Sequence, residues 1–332
     1  MPTPQIEVAN LTKRYRVAER DAGAFGALKG LFHRRMRTIE ALDRVSFSLE
    51  AGELLGFIGP NGAGKSTTIK ILSGILRPTS GAVVVDGLVP FADRIRHVAR
   101  IGVVFGQRTQ LWWDLPVIEG FDLLAAIYRV EPARYRKNRD ELVGMLKLER
   151  ILDQPVRQLS LGQRMRAEIC AALLHEPRIL FLDEPTIGLD APAKLAVREV
   201  VKRLNREKGV TVLLTTHDMH DIEALAERVI VIGHGRVLAD SPFEQLRAEG
   251  LAERRVYVDF AEDAPALDLP GVEVRAREGR SLELAFDPAR TSAPALIAAI
   301  TAAHAVEDIH VEQPAIEEVI ARFYDRHGAG EA

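Results

Sequence analysis

Nine consecutive residues, Gly59-Pro60-Asn61-Gly62-Ala63-Gly64-Lys65-Ser66-Thr67, combine a pliable backbone with one cation and two hydroxyls. Glycines let successive backbone N–H groups curl around an anion without side chains in the way. Lys65 can then reach the β- and γ-phosphates of a nucleoside triphosphate, and the Ser66 hydroxyl can face Mg²⁺. A helix opening near Gly64 adds its positive N-terminal dipole to the same point. An apolar run, Leu54–Ile58, precedes the loop, and a helical pattern with Ile69, Ile71 and Leu72 follows it. That strand–loop–helix context separates a phosphate loop from a bare Gly-rich turn.

A second group completes the chemistry. Ile179-Leu180-Phe181-Leu182 is apolar throughout and stops at Asp183 and Glu184. A strand this apolar is covered on both faces and delivers its last residues to the carboxyl edge of a parallel sheet, where ligands bind. Asp183 is expected to hold Mg²⁺, and Glu184 to polarise the water that attacks the γ-phosphate. Leu159-Ser160-Leu161-Gly162-Gln163 opens another helix, a further anion-ready N-terminus. Since the chain already has a phosphate loop, this second cradle makes sense if it serves the nucleotide of another chain.

The elements that must position these residues can be read from periodicity. Through about residue 248 apolar strand-like runs alternate with amphipathic helices, an α/β pattern. Core strands are expected at Glu53–Ile58, Ile101–Phe105, Ile179–Asp183, Val210–Thr215 and Val229–Ile232. Ile6–Ala9, Val45–Leu49 and Val83–Asp86 read as antiparallel edge strands, making the sheet mixed. Helices at Val117–Tyr128, Ala133–Leu148 and Leu161–Leu174 form an inserted helical subdomain, about residues 112–175. From 249 to 332 a small α+β domain is expected. Its residues 256–332 carry 15 acidic against 6 basic side chains, a net of −9, most simply a solvated surface. Residues 16–38 carry a net of +4, with Phe25, Leu28, Leu31, Phe32 and Met36 at near-helical spacing. This basic insert reads either as a surface helix packed on the domain or as an amphipathic helix meeting a membrane or a membrane partner.

Bulk composition excludes some classes. The net charge of −3 argues against a nucleic-acid partner. Cys170 is the single cysteine, so no intrachain disulfide can form, and its apolar helical setting reads as buried. No apolar run approaches the ~20 residues of a membrane span, and the N-terminus lacks a signal pattern. The expectation is a cytoplasmic protein that meets a membrane only through a partner.

These motifs, in this order, resemble the nucleotide-binding subunit of the ABC transporters, most nearly the ATPase subunit of type-2 exporters. The resemblance spans residues ~5 to 245. It implies the P-loop NTPase fold of ABC ATPases, ATP and Mg²⁺ as ligands, and a head-to-tail homodimer or heterodimer with two ATP molecules between the chains. It further implies separate transmembrane permease subunits at the inner face of the cell membrane. By the same resemblance Tyr15 stacks on adenine, Gln107 senses Mg²⁺ and water, and His217 positions Glu184 against the γ-phosphate. Asp190 lies in the D-loop, and Ser160, Leu161, Gly162 and Gln163 form the signature that meets the partner's ATP. Leu161 departs from the family's usual glycine, which leaves the strength of hydrolysis open. Trp112 and Trp113 follow Gln107 and read either as core or as a groove for a membrane subunit. A drug, lipid or other hydrophobic compound is the expected cargo. A polysaccharide-exporter subunit and a weakly hydrolysing ABC-type regulator are the alternatives.

Overall fold

A computed structural model describes residues 4–18, 36–106, 108–250, 254–267, 269–288, 290–312 and 316–326. The elements up to the inserted helices are β1 (Ile6–Ala18), β2 (Met36–Leu49), β3 (Leu54–Ile58), α1 (Lys65–Leu72), β4 (Ser80–Val85), α2 (Arg94–Val98) and β5 (Ile101–Phe105). The inserted helices are α3 (Val117–Ile127), α4 (Pro132–Leu146) and α5 (Leu161–Leu173). There follow β6 (Ile179–Asp183), α6 (Ala191–Lys208), β7 (Thr211–Thr216), α7 (Met219–Leu225), β8 (Arg228–Gly233) and β9 (Arg236–Pro242). The rest is α8 (Phe243–Gly250), β10 (Arg254–Phe260), β11 (Val272–Glu278), β12 (Ser281–Phe286), α9 (Ala293–Ala303), β13 (Val306–Glu312) and α10 (Ile316–Arg326).

The chain divides into two compact units between Ser241 and Pro242. In the first, a six-stranded sheet has the order β5-β6-β7-β3-β8-β9. Strands β5, β6, β7, β3 and β8 pair in parallel. Every residue of β3, β6 and β7 is buried, as continuous apolar strands covered on both faces must be. A separate antiparallel sheet, β2-β1-β4, packs Ile6, Val8, Leu42, Val45 and Leu49 into the same core as Leu55, Phe57 and Phe181. Helices α3, α4 and α5 lie between β5 and β6 in sequence, with Phe121, Leu142, Ile169 and Cys170 buried among them. Burial pushes the Cys170 thiol well above its ordinary pKa, so it is an inert core residue.

The basic insert is not helical at its ends. Arg16–Ala18 continue β1 and Met36–Thr38 begin β2, with Ala18 opposite Met36 and Arg16 opposite Thr38. Long-range pairing with β1 overrides the local near-helical spacing that included Met36. Residues 19–35, with Phe25, Leu28, Leu31 and Phe32, lie outside the described residues.

The second unit has an antiparallel sheet of order β11-β12-β10-β13. Its inward positions alternate, with Val256, Val258 and Phe260 on β10 facing the same core as Leu282, Leu284 and Phe286 on β12. Leu296 and Ile300 of α9 close that core. Helix α8 falls in this unit, so the division lies a few residues before the boundary at 248 that composition suggests. Leu284 is fully buried. Leu284→Ala is expected to destabilise the second unit by about 2–5 kcal/mol while leaving nucleotide affinity of the first unit unchanged. Denaturation followed by circular dichroism, beside a fluorescent-nucleotide titration, checks both parts.

Candidate functional site: a nucleotide cradle and a separate helix terminus

Strand β3 ends at Ile58 and α1 begins at Lys65, so the phosphate loop hangs from the carboxyl edge of the central strand. Gly64 caps α1 with φ 111°, and a Cβ there would sit 2.8 Å from the Ala41 carbonyl oxygen. Only glycine meets both conditions. Asn61 and Gly62 are exposed at the tip, Gly59 and Ala63 are buried, and Pro60, Ser66 and Thr67 lie half-buried. Lys65 is buried, and its Nζ donates to the carbonyl oxygens of Gly59 at 2.5 Å and Pro60 at 3.1 Å. Burial draws the Lys65 pKa down, while the Glu184 and Asp183 carboxylates oppose that fall.

Asp183 is the meeting point. Its Oδ1 accepts from Ser66 Oγ at 3.1 Å and from Thr215 Oγ1 at 2.6 Å. The two oxygen-bearing side chains that the sequence assigns to Mg²⁺, Ser66 and Asp183, are therefore neighbours. Glu184 sits in the left-handed region at φ 53°, its N–H donating to the Thr215 carbonyl at 2.9 Å. That turn aims its carboxylate at His217, with Nδ1 to Oε1 at 3.5 Å. Gly106, just past β5, donates its N–H to the Asp183 carbonyl at 2.8 Å, and a Cβ on it would lie 2.1 Å from the Glu184 carbonyl oxygen. Gln107, the next residue, lies outside the described residues.

Behind this edge is a polar cluster that motif reading missed. Asp221, fully buried on α7, accepts from Arg198 Nε at 2.5 Å, from Thr216 Oγ1 at 3.3 Å and from Thr186 Oγ1. It joins the turn after Glu184, the end of β7 before His217, and helix α6. Asp218 caps α7 and pairs with Lys194 at 2.5 Å. Burial opposes its ionisation, but Lys194 and Arg198 outweigh that and hold its carboxyl below the usual range. Arg198 and Thr186 are 23 and 35 residues from Asp221, and no local pattern marks them.

The remaining candidates fall elsewhere. Ser160 caps α5 in a reciprocal capping box, its Oγ accepting from the Gln163 N–H while the Gln163 side chain accepts from the Ser160 N–H. Ser160, Leu161, Gly162 and Gln163 border a pocket of about 490 Å³ together with Gly188 and Asp190. Asp190 caps α6, accepting from the Ala193 N–H at 2.9 Å. Tyr15, half-buried on β1, stands opposite Ile39, with Lys13 Nζ 5.2 Å from its ring centre. Trp112 and Trp113 are 38% and 50% exposed, which excludes a core role for the pair.

Residues 42–187 match the family described as ABC transporter. The chain is 34% identical over 289 residues to the Nod factor export ATP-binding protein I of Ralstonia nicotianae, covering 86% of this chain and 89% of that one. The chain belongs to the ABC transporter ATP-binding family. As an ABC ATP-binding subunit it binds and hydrolyses ATP. It is also 30% identical over 277 residues to the methionine import ATP-binding protein MetN of Latilactobacillus sakei, 80% of each chain. Among solved structures it is similar to an ATP-binding cassette captured as a dimer in a post-hydrolysis state with ADP and Pi. That likeness has a TM-score of 0.60 at 30% identity, covering 71% of this chain and 98% of that one.

In this ABC subunit the close approach of Gly106 to Glu184 makes a testable demand. Gly106→Ala must displace the Asp183–Glu184 turn, and a misplacement of that order is expected to lower kcat by about 100-fold. Steady-state phosphate release beside nucleotide titration checks it, with binding expected to hold.

Proposed function

We propose that the chain powers transport as one half of a head-to-tail ATP sandwich. The observation behind this reading is the division of the candidate residues into two places. Lys65, Ser66, Asp183, Glu184 and His217 converge at one sheet edge, whereas Ser160–Gln163 and Asp190 border a different pocket. A signature terminus whose pocket is lined by none of the phosphate-loop residues would need a second copy's nucleotide to serve.

In this reading the phosphate-loop N–H groups and Lys65 hold the β- and γ-phosphates. Tyr15 stacks on the adenine. Ser66 and Asp183, neighbours at the sheet edge, fit Mg²⁺, whose hard oxygen ligands they would supply in part, and the family resemblance adds Gln107 to them. Among the described residues no cluster of three or more His, Cys, Asp or Glu side chains could cage a metal alone, so the nucleotide would share the ion. When bound, Mg²⁺ neutralises charge building on the transferring phosphoryl group. Glu184 accepts a proton from the attacking water, and His217 holds Glu184 and the γ-phosphate in line. The partner's Ser160 hydroxyl and α5 terminus add stabilisation from the far side.

The membrane role is read the same way. Among the described residues no helix is long and apolar enough to cross a membrane, so the path for cargo would lie in separate permease subunits. The exposed Trp112 and Trp113, just after Gln107, suit docking by such a subunit. Likeness over 86% of the chain to a Nod factor export ATP-binding protein, with the resemblance to type-2 exporters, favours export of a drug, lipid or other hydrophobic compound.

Glu184→Gln should bind ATP without turning it over and accumulate a dimer at saturating ATP. Size-exclusion with light scattering tests this, and a mutant that stays monomeric would overturn the sandwich. In inside-out vesicles containing the permease, export should appear as ATP-dependent uptake of cargo, and ATP-dependent release would reverse the assigned direction.

A further inference from the structure

Glu168 on α5 is 3% exposed and is a carboxylate the mechanism above does not use. It accepts from the Thr109 hydroxyl and, at 3.1 Å, from the Gln110 N–H. Gln110 Nε2 returns a bond to the Glu168 carbonyl at 3.0 Å. One turn nearer the helix start, Arg164 lies over the Trp113 ring at 5.8 Å. Residues 164 and 168 stand one above the other on a helix, so a single face of α5 holds the segment from Thr109 to Trp113. Eight residues separate Glu168 from Ser160, about 12 Å of rigid helix.

The other end of this segment is fixed as firmly. Gly106 is bonded to the Asp183 carbonyl and pressed against the Glu184 backbone. Only Gln107 and Arg108 stand between that anchor and Thr109. Gly106 and Thr109 are three steps apart along the chain, so they can never be more than about 11 Å apart, and a displacement of one end has a short chain length in which to be absorbed.

We propose that Glu168 is a positioning residue that ties the segment after Gly106 to α5, so that the state of a chain's own nucleotide site sets the position of its Ser160 terminus against the partner's ATP. This rests on the sandwich arrangement proposed above. The carboxylate suits the task because it can accept from both Thr109 and Gln110 at once. A glutamine there can accept from Thr109 but turns an amide N–H toward the Gln110 N–H.

The test uses the full chain. Glu168→Gln and, from the loop side, Thr109→Val are each expected to lower kcat about tenfold or more while the affinity of the single chain for ATP stays within about twofold. Both are also expected to bring the Hill coefficient toward one. Because the two side chains form one link, the double variant should be little worse than either single variant. If Glu168→Gln does not fold, Thr109→Val carries the same expectation. A folded variant with unchanged kcat and Hill coefficient overturns the proposal. In the Glu184→Gln background, Glu168→Gln should raise the ATP concentration needed for dimer formation, and an unchanged concentration overturns it. A Glu184→Gln parent that never dimerises would instead defeat the sandwich reading itself.

Discussion

The Asp183 carboxylate is the interaction on which the site depends. It takes one hydroxyl from the helix after the phosphate loop and one from the neighbouring strand. Those donors come from segments 117 and 32 residues away, Thr215 brought level by sheet register and Ser66 by the loop and helix that follow β3. Asp183 stands opposite Phe105 on one side and Thr215 on the other. Strands β5 and β6 therefore end level, and β7 runs one residue further to Thr216, which brings His217 just beyond Glu184. A slip of one residue in β6 would turn Asp183 to the opposite face and its apolar neighbours with it. The complete burial of β6 makes that slip expensive, so the hydrophobic core fixes the position of the chemistry.

The polar cluster around Asp221 supplies a different kind of constraint. Taking a carboxylate and a guanidinium out of water costs several kcal/mol, and their attraction returns that only with good geometry. A buried pair of this sort is weak evidence for stability. What it does is fix relative position, because Asp221 can satisfy Arg198, Thr186 and Thr216 together in one arrangement. Glu184 needs such support. Its left-handed backbone is strained by an amount of order 1 kcal/mol or more, and the residues on either side must hold it there.

The parts of this structure legible in the sequence were those set by local pattern. Ile101–Phe105 and Ile179–Asp183 fall where short apolar runs placed them, and the helices from Val117, Pro132 and Leu161 begin within a residue of expectation. The residues that meet at the sheet edge were legible because their order follows a motif whose glycines and lysine have separate physical duties. Distant pairing was not legible. The hairpin of β1 and β2 extends past Leu11 through register shifts at Leu11 and Lys13, so its alternation is broken and Met36 matched a helical spacing instead. Helix α6 carried readable signs, Asp190 as N-cap, Pro192 in the first turn and Gly209 as C-cap, yet it was eclipsed by the motifs on either side. Asp221 and Glu168 are ordinary acidic residues in helical stretches, and their meaning comes from partners as far as 59 residues away.

Leu161 shows how a departure from a family pattern can be judged from backbone conformation. A glycine in such a place would be indispensable if the backbone were left-handed or if a neighbouring atom occupied the Cβ position. Neither condition holds here. Leu161 is the first residue of α5, and neither it nor Gly162 has a positive φ. The close approach lies one residue on, where a Cβ on Gly162 would be 2.8 Å from the Ala193 Cβ. The leucine side chain is 36% exposed and leans toward Gly188, where a Cβ would lie 3.1 Å from its Cδ2. Gly188 itself has φ 72°. The room that a signature glycine would leave open is thus given up on one loop and kept on the other. The leucine side chain occupies the space beside the turn before Asp190, while the helix start that carries Ser160 keeps its ordinary backbone conformation.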